Sequence, residues 1–325
     1  MTTFWDTTKK HADDIGRPIL VLAPMADVTD AAFRHVIAAQ GKPDVFWTEF
    51  VSADGLAHAK EEGRRKLMKD LIFTEAEHPI VAQFFTSNPD SMYAAAVLAR
   101  ELGFDGIDIN MGCPDRSIEK QGAGAAMIKN PERAREVILA AKKGAGSLPV
   151  SVKTRLGYNK DILEEWLPEI LKAEPAVVTI HARTRKEMSK VPARWERVAD
   201  AVKIRDTLKS KTLIFGNGDV LDITDAVQKG KEAGADGVML GRAIFGNPWL
   251  FSGRTDISIQ EKLTVLAKHT KLFEELLGEV KSFAVMKKHF KAYVNGWEGS
   301  KQLRAALMET NNAVEVGAII SEYLK

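Results

Sequence analysis

A single cysteine lies at the centre of the chemistry that this sequence can support. Cys113 stands between Gly112 and Pro114, directly after the alternating run 107–110, which predicts a short strand. Glycine and proline interrupt a helical continuation, so the strand delivers the thiol onto a loop. Because the chain has one cysteine, an internal disulfide is excluded. The remaining interpretations are a small buried side chain and a chemically active loop thiol.

Other polar side chains occur where further strands are predicted to end. Lys153 and His181 lie at the ends of two such runs, and Gln83 lies at the end of a third. A lysine in this position can offset the negative charge of a reduced flavin, and a glutamine amide can pair with ring heteroatoms. The alternatives are a solvated lysine at the rim and a histidine buried in the core.

Two glycine-containing turns predict a phosphate site. Asn217, Gly218 and Asp219 follow the seventh predicted strand, and Gly241 and Arg242 follow the eighth. Such turns let backbone amides approach an anion, and the arginine adds a cation beside the start of the next helix. Barrel enzymes frequently bind phosphate after strands seven and eight. The turns alone do not distinguish a flavin from a sugar phosphate.

An alternation of short apolar runs with amphipathic stretches predicts the fold that positions these residues. The predicted strands are 19–23, 45–49, 80–84, 106–110, 150–154, 177–181, 213–216 and 237–240. The clearest predicted helices between them are 88–101, 131–143, 161–172, 193–204 and 222–232. Eight such units predict an α/β protein with a (β/α)8 TIM barrel. A doubly wound open sheet is the alternative, which the lack of G-x-G-x-x-G after the first strand disfavours.

The pattern divides the chain into an N-terminal extension (1–18), a barrel that would carry the chemistry (19–253) and a small helical domain (254–325). Helices are predicted there at 259–277, 280–296, 301–310 and 312–324. The second of these helices places basic side chains on one face, namely Lys281, Lys287, Lys288 and Lys291. This face is either a solvated helix surface or a phosphate-binding surface.

Composition sets the general class of the protein. The 325 residues are 45% hydrophobic and 28% charged with a net charge of +2, which is typical of a folded chain and does not by itself indicate nucleic-acid binding. No apolar run has the length of a membrane span, and no metal site is predicted. A polar start and a lone cysteine indicate a reducing, cytoplasmic setting.

Taken together, the motifs resemble the dihydrouridine synthase family, flavin-dependent enzymes that reduce uridines in tRNA. The segments that carry the resemblance are APMADVTDAAFR (23–34), TEF (48–50), INMGCP (109–114), GAGAAM (122–127), VSVKTRLG (150–157), IHARTR (180–185), FGNGDV (215–220) and GVMLGRAIFGNPWLF (237–251). Several independent motifs in one order make the resemblance specific.

The resemblance implies a reaction and a set of site residues. Reduced FMN would give a hydride to the uracil ring, the thiol of Cys113 would give the proton, and NADPH would reduce the flavin. FMN would be held by Pro24, Met25, Ala26, Gln83, Lys153, His181, Asn217, Gly218, Asp219, Gly241 and Arg242, the last five around its phosphate. Asn110 would position the uracil, Arg183 and Arg185 would lie near RNA phosphate, and Lys287, Lys288 and Lys291 would clamp the RNA backbone.

The resemblance also implies a partner, and alternatives remain beside it. The substrate would be tRNA or another structured RNA, bound by a monomer that has no contact with membranes. One alternative is an FMN barrel that acts on a free pyrimidine or a dihydroorotate-type substrate, which has no use for the basic helix. A second is an RNA-binding module with a degenerate barrel, which the presence of Cys113, Lys153 and the phosphate turns disfavours.

Overall fold

The computed structural model describes residues 2–325 and confirms the (β/α)8 TIM barrel. Its parallel strands are β1 (Ile19–Leu22), β2 (Phe46–Ser52), β3 (Ile80–Phe85), β4 (Gly106–Met111), β5 (Val150–Arg155), β6 (Val177–His181), β7 (Leu213–Asn217) and β8 (Gly237–Leu240). Their order in the sheet is β1-β8-β7-β6-β5-β4-β3-β2. Val21 of β1 also pairs in parallel with Val45, just before β2, and this pair closes the ring.

Most helices follow a strand and cover the outside of the barrel. Those up to β8 are α1 (Phe4–Asp14), α2 (Ala31–Gln40), α3 (Ala53–His58), α4 (Glu61–Lys69), α5 (Pro89–Glu101), α6 (Arg116–Glu119), α7 (Pro131–Ala145), α8 (Leu163–Leu171), α9 (Trp195–Thr207) and α10 (Ile223–Ala233). The predicted helices α5 and α7 to α10 are confirmed to within a few residues at each end. Asn88 and Asn130 accept hydrogen bonds from the first turns of α5 and α7, each with proline at the first helical position.

The N-terminal segment is more ordered than its polar sequence suggests. Trp5 of α1 is 3% exposed, and its ring lies 5.9 Å from that of Trp47 and 5.5 Å from that of Phe215. These aromatic residues belong to a buried cluster formed mostly by strand residues. Beside them, the ring of Phe4 lies against the backbone of Gly106, at the start of β4. Helix α1 therefore closes the barrel at the N-terminal ends of its strands, away from the predicted chemistry.

After the barrel the chain is helical, as predicted, with one correction. The helices are α11 (Ile259–Leu277), α12 (Met286–Tyr293), α13 (Ser300–Met308) and α14 (Ala313–Tyr323). The prediction of one continuous helix over 280–296 is wrong. Ser282 caps a 3-10 turn, Phe283–Val285, and the α-helix begins only at Met286. Lys281 consequently lies in the turn before α12, and it does not share a helix face with Lys287, Lys288 and Lys291.

The C-terminal helices pack directly onto the barrel. Leu263, Phe273 and Phe290 belong to the same buried cluster as Phe33 and Val36 of α2. The ring of Phe33 also stacks on that of His269, with centroids 4.8 Å apart. Within residues 2–325, none of the helices combines the length and the apolar character needed to cross a bilayer.

Candidate active site

The C-terminal ends of the strands surround a cavity of about 640 Å³. Most of the predicted site residues line it together, namely Pro24, Met25, Asn110, Cys113, Lys153, His181, Arg183, Asn217, Gly218, Asp219, Gly241 and Arg242. The cavity contains one thiol together with lysine, arginine and histidine side chains. Cys113 is partly accessible rather than packed into the interior. Burial raises the pKa of the Cys113 thiol, so the sulfur is protonated at neutral pH.

The loop that carries Cys113 is held by the side chain of Asn110. Its Oδ1 accepts hydrogen bonds from the backbone amides of Gly112 (3.1 Å) and Cys113 (2.9 Å). The carbonyl of Cys113 accepts a further bond from the amide of Ala125 at 2.9 Å. A side chain at Gly124 would clash with that carbonyl, because an added Cβ would lie 2.8 Å from it, and the backbone there has φ +59°. The thiol therefore projects from a loop that is fixed on both sides.

A buried chain of hydrogen bonds supports Asn110 from below. Asn110 Nδ2 donates to Gln83 Oε1 at 3.0 Å, and Gln83 Nε2 donates to Asp108 Oδ2 at 2.5 Å. Ser151 Oγ donates to the other oxygen of Asp108 at 2.6 Å. Burial raises the pKa of Asp108 to about 6. Gln83 is thus fully buried beneath the cavity and does not appear among its lining residues.

Two cations face the cavity from β5. Lys153 Nζ donates to Asn217 Oδ1 at 3.1 Å, and Arg155 donates through Nε to the carbonyl of Gly112 at 2.7 Å. Burial and the neighbouring Arg155 lower the pKa of Lys153 to about 8, and burial lowers that of Arg155 to about 10. Both groups remain charged at neutral pH. Arg155 is absent from the predicted site, although its spacing of two from Lys153 on one strand directs both side chains to the same face.

A single carboxylate organises the opposite wall. Asp219 accepts hydrogen bonds from the guanidinium of Arg183, from Arg242 Nη2 at 2.6 Å and from the amide of Ala193 at 2.8 Å. Arg183 Nη1 lies 3.2 Å from His181 Nε2. Since arginine can only donate, this contact assigns Nε2 as the acceptor and Nδ1 as the protonated nitrogen. Burial and the surrounding arginines and lysine lower the pKa of His181, which is therefore neutral.

The charge around the cavity is strongly unbalanced. Lys153, Arg155, Arg183 and Arg242 line it, and Asp219 is the one carboxylate among its lining residues. Lys153 and Arg155 donate hydrogen bonds to neutral oxygen atoms only, and neither forms a salt bridge among the described residues. The carboxylates of Asp108 and Glu187 act on them only through longer-range attraction. A largely buried cation without a salt-bridge partner is stabilised when a ligand supplies a negative charge. The cavity is therefore suited to an anionic ligand.

The other predicted site residues lie outside the described lining of the cavity. Ala26 is exposed on the loop after β1, and Lys287, Lys288 and Lys291 lie on α12 with partly or fully accessible side chains. Arg185 forms an ion pair with Glu119 of α6, and its guanidinium carbon lies 5.2 Å from the ring centre of Tyr158.

The comparisons with known proteins agree with these observations. The family model described as dihydrouridine synthase (Dus) matches residues 21–325. The chain is 42% identical over 319 residues to a probable tRNA-dihydrouridine synthase 2 of Bacillus subtilis, covering 97% of each chain. It is 40% identical over 313 residues to a probable tRNA-dihydrouridine synthase of Staphylococcus aureus, covering 95% of this chain and 94% of that protein.

A solved structure supports the fold alone. The structure of a variant of NCR from Zymomonas mobilis superposes with a TM-score of 0.51 and 16% sequence identity, covering 75% of this chain and 90% of that one.

Proposed function

Because the chain belongs to the dihydrouridine synthase family, we propose that it reduces uridine to 5,6-dihydrouridine in tRNA with FMN bound in the barrel cavity. The observation that carries this proposal is one accessible thiol in a cavity lined by four cations and one carboxylate, where Lys153 and Arg155 form no salt bridge among the described residues. We further propose that the enzyme works as a monomer in the cytoplasm, where a lone thiol stays reduced.

The chemistry of the donor set fits FMN. A flavin mononucleotide carries a phosphate and, when reduced, a negative ring, and each needs a positive environment. Asn217, Gly218, Asp219, Gly241 and Arg242 would hold the phosphate, with the Asp219 carboxylate orienting arginines rather than contacting the anion. The ring would be held by Lys153 and His181 from one side and by Pro24, Met25 and Ala26 from the loop after β1. Gln83 would act through Asn110.

The proposed chemical step needs a proton source opposite the flavin. When bound, reduced FMN supplies the hydride that adds to carbon 6 of the uracil ring, and NADPH restores the reduced flavin. The Cys113 S–H then donates its proton to carbon 5, and solvent reprotonates the thiolate. A thiol whose pKa is raised by burial holds this proton at neutral pH. The Asn110 side chain fixes the loop that carries Cys113. Asn110 also lines the cavity, so it would lie beside the entering base.

RNA must present the target base outside its stack, because a stacked uracil cannot enter the barrel. Arg155 lines the cavity and would face the phosphates beside the extruded base, whereas Arg183 would reach them only by exchanging its ion pair with Asp219. Arg185 would reach RNA phosphate only by exchanging its ion pair with Glu119. Lys287, Lys288 and Lys291 on α12 would clamp the backbone, which assigns catalysis to 19–253 and the RNA-binding surface outside the cavity to 254–325.

The reaction can be tested with purified protein, NADPH and unmodified tRNA. We expect a bound flavin spectrum, NADPH oxidation stimulated by tRNA, and dihydrouridine in the product RNA by mass spectrometry. Free uracil, uridine and dihydroorotate serve as competing substrates. Turnover of these small molecules without turnover of tRNA would support the alternative free-substrate oxidoreductase and contradict the proposal. Flavin binding without reduction of any substrate would favour the RNA-binding module.

The role of Cys113 has a separate test. Cys113→Ala should retain FMN and lose uridine reduction by about 10²-fold or more, which is the usual contribution of a positioned acid. Val220→Ala, at another lining position, is the matched control and should stay active. Undiminished dihydrouridine formation by Cys113→Ala would exclude the thiol as the required acid.

The clamp is tested by replacing Lys287, Lys288 and Lys291 together with glutamine. RNA affinity should fall, and the slope of log Kd against log salt should decrease by roughly 0.7–0.9 for each RNA phosphate that the variant no longer neutralises. The control is the double variant Lys209→Gln/Lys211→Gln, which removes two exposed lysine charges just before β7, away from α12. Equal RNA affinity of the triple variant and the control at low salt would remove the clamp from the proposal.

A further inference from the structure

Lys281 connects the C-terminal helices to three acidic side chains of the barrel. Its Nζ lies 2.7 Å from Glu49 Oε2, 2.9 Å from Asp70 Oδ1 and 3.7 Å from Asp27 Oδ1. The side chains of Lys281 and Glu49 are only 14% and 5% exposed. Burial acts to lower the pKa of Lys281, but the Glu49 and Asp70 carboxylates raise it above its ordinary value, so the lysine is charged. The four residues form an ionic junction of four chain segments, buried at Lys281 and Glu49 and open to solvent at Asp27.

Glu49 extends the junction to the rim of the cavity. It lies where the pairing of β2 with β3 shifts between Trp47 and Phe50, and such irregularities redirect side chains next to functional sites. Its Oε1 accepts a short hydrogen bond from the amide of Asp27. Asp27 follows the lining residue Met25 by two positions, and Phe50, next to Glu49, also lines the cavity.

The Asp27 backbone needs this support. Its φ of 54° lies in the left-handed region, which is unfavourable for a residue other than glycine unless surrounding contacts hold it. Burial raises the pKa of Glu49 to about 7, and the charge of Lys281 acts against this rise, so the ionised form of Glu49 depends on the lysine. If Lys281 is removed, Glu49 must take up a proton or turn toward solvent, and either change weakens its bond to the Asp27 amide. The loop between β1 and α2, which carries Pro24 and Met25, then loses its anchor.

We propose that Lys281 is a positioning residue for the cofactor, which acts through Glu49 to hold the loop after β1 against the flavin. The same lysine immediately precedes the turn into α12, so it links the proposed RNA-contacting helix to flavin binding. This inference rests on the proposed function, since it requires FMN in the cavity. It assigns to the C-terminal region a part in holding the cofactor, in addition to contact with RNA.

The test measures the Kd for FMN of the full-length chain, by the change in flavin fluorescence at a temperature below the unfolding transition. Lys281→Met should raise the Kd by about tenfold or more, because it leaves a buried carboxylate unpaired. Lys281→Arg keeps the charge and should restore the Kd to within about threefold of the wild-type value. Glu49→Gln combined with Lys281→Met removes both charges while leaving an amide oxygen for Asp27, so it should bind FMN more tightly than Lys281→Met alone.

Arg205→Met is the matched control. Arg205 and Asp236 form an ion pair of 2.7 Å with both side chains 14% exposed, but near the N-terminal ends of β7 and β8. Its loss should lower the melting temperature and leave the Kd for FMN unchanged. An unchanged Kd in folded Lys281→Met, or an equal rise in Arg205→Met, would overturn the inference. So would a double variant that binds FMN no better than Lys281→Met.

Two further results have defined meanings. If Lys281→Met does not fold, a folded, FMN-binding double variant supports the inference, and a double variant that also fails to fold overturns it. A wild-type chain that binds no FMN overturns the proposed function itself, whereas normal binding by wild type and Lys281→Met overturns only the role of Lys281.

Discussion

Two buried histidines with no polar partner among the described residues make the free energy of unfolding of this protein depend on pH. His269 and His289 are fully buried between α11, α12 and α2, with ring centroids 4.6 Å apart. None of their ring nitrogens has a hydrogen-bond partner among the described residues. The groups that face His289 are the His269 ring, the Phe33 and Phe245 rings and, through its charge, Lys288. Burial lowers the pKa of His289 from 6.5 to about 3.

The sign and size of the effect follow from proton linkage. A lowered pKa means that the folded state holds a neutral ring where the unfolded chain binds a proton. The free energy of unfolding is therefore unaffected by this titration above pH 6.5, and it decreases as the pH falls from 6.5 toward 3. At pH 4.5 the loss amounts to about 3 kcal/mol for a pKa difference of this size. That is a large fraction of the stability of a typical domain.

Urea denaturation followed by circular dichroism at several pH values between 4.5 and 7.5 measures this loss. His289→Leu keeps an apolar side chain of similar size and removes the titrating group. Its free energy of unfolding should therefore fall by about 3 kcal/mol less than that of the wild type between pH 7.5 and pH 4.5. His58→Leu, at an exposed position on α3, should follow the wild type. Parallel curves for His289→Leu and the wild type would refute the reasoning.

Three further predictions concern the site and the barrel floor. Because burial raises the pKa of Cys113, uridine reduction in single turnovers should stay level through neutral pH and decline only in alkali; a decline beginning near pH 6 would contradict this. Trp5→Ala should lower the free energy of unfolding by roughly 3–5 kcal/mol in urea titrations, since it empties a closed aromatic cluster, and a loss below about 1 kcal/mol would contradict the buried role of α1. Gly216→Val places a Cβ 2.3 Å from the Trp195 ring beside the phosphate turn, so the Kd for FMN should rise at least about tenfold, and a wild-type Kd would show that the turn tolerates the shift.

Local patterns in the sequence were sufficient to predict the barrel, because its strands and helices each show the hydrophobic periodicity of their own type. The runs around Lys153 and His181 lie on strands that end at the same edge, so parallel pairing brings them together without further information. The lining of the cavity could be predicted for the same reason. The sequence also contained the signal for Arg155, two positions after Lys153.

Features that depend on distant contacts could not be predicted. Helical periodicity continues through Lys281, but that lysine pairs with Glu49, 232 positions away, and Ser282 begins a new helical turn. Trp5 lies in a polar segment of the sequence. It is buried because it fills the N-terminal end of the barrel, a space that forms only when all eight strands have assembled. The amide of Gln83 has suitable chemistry for a flavin, yet the structure commits it to Asp108 and Asn110.

The packing of α2 against α11 and α12 has a consequence for how the molecule can be divided into fragments. Phe33, which stacks on His269, and Val36 would face water if the chain were cut at residue 253. A shortened barrel would thus expose an apolar strip of the kind that drives aggregation. We expect the barrel and the C-terminal helices to melt in one cooperative transition, although the proposed tasks of the two segments differ. If these helices contact RNA as proposed, evolution or engineering could change that contact by replacing their surface residues, with their inward faces kept intact.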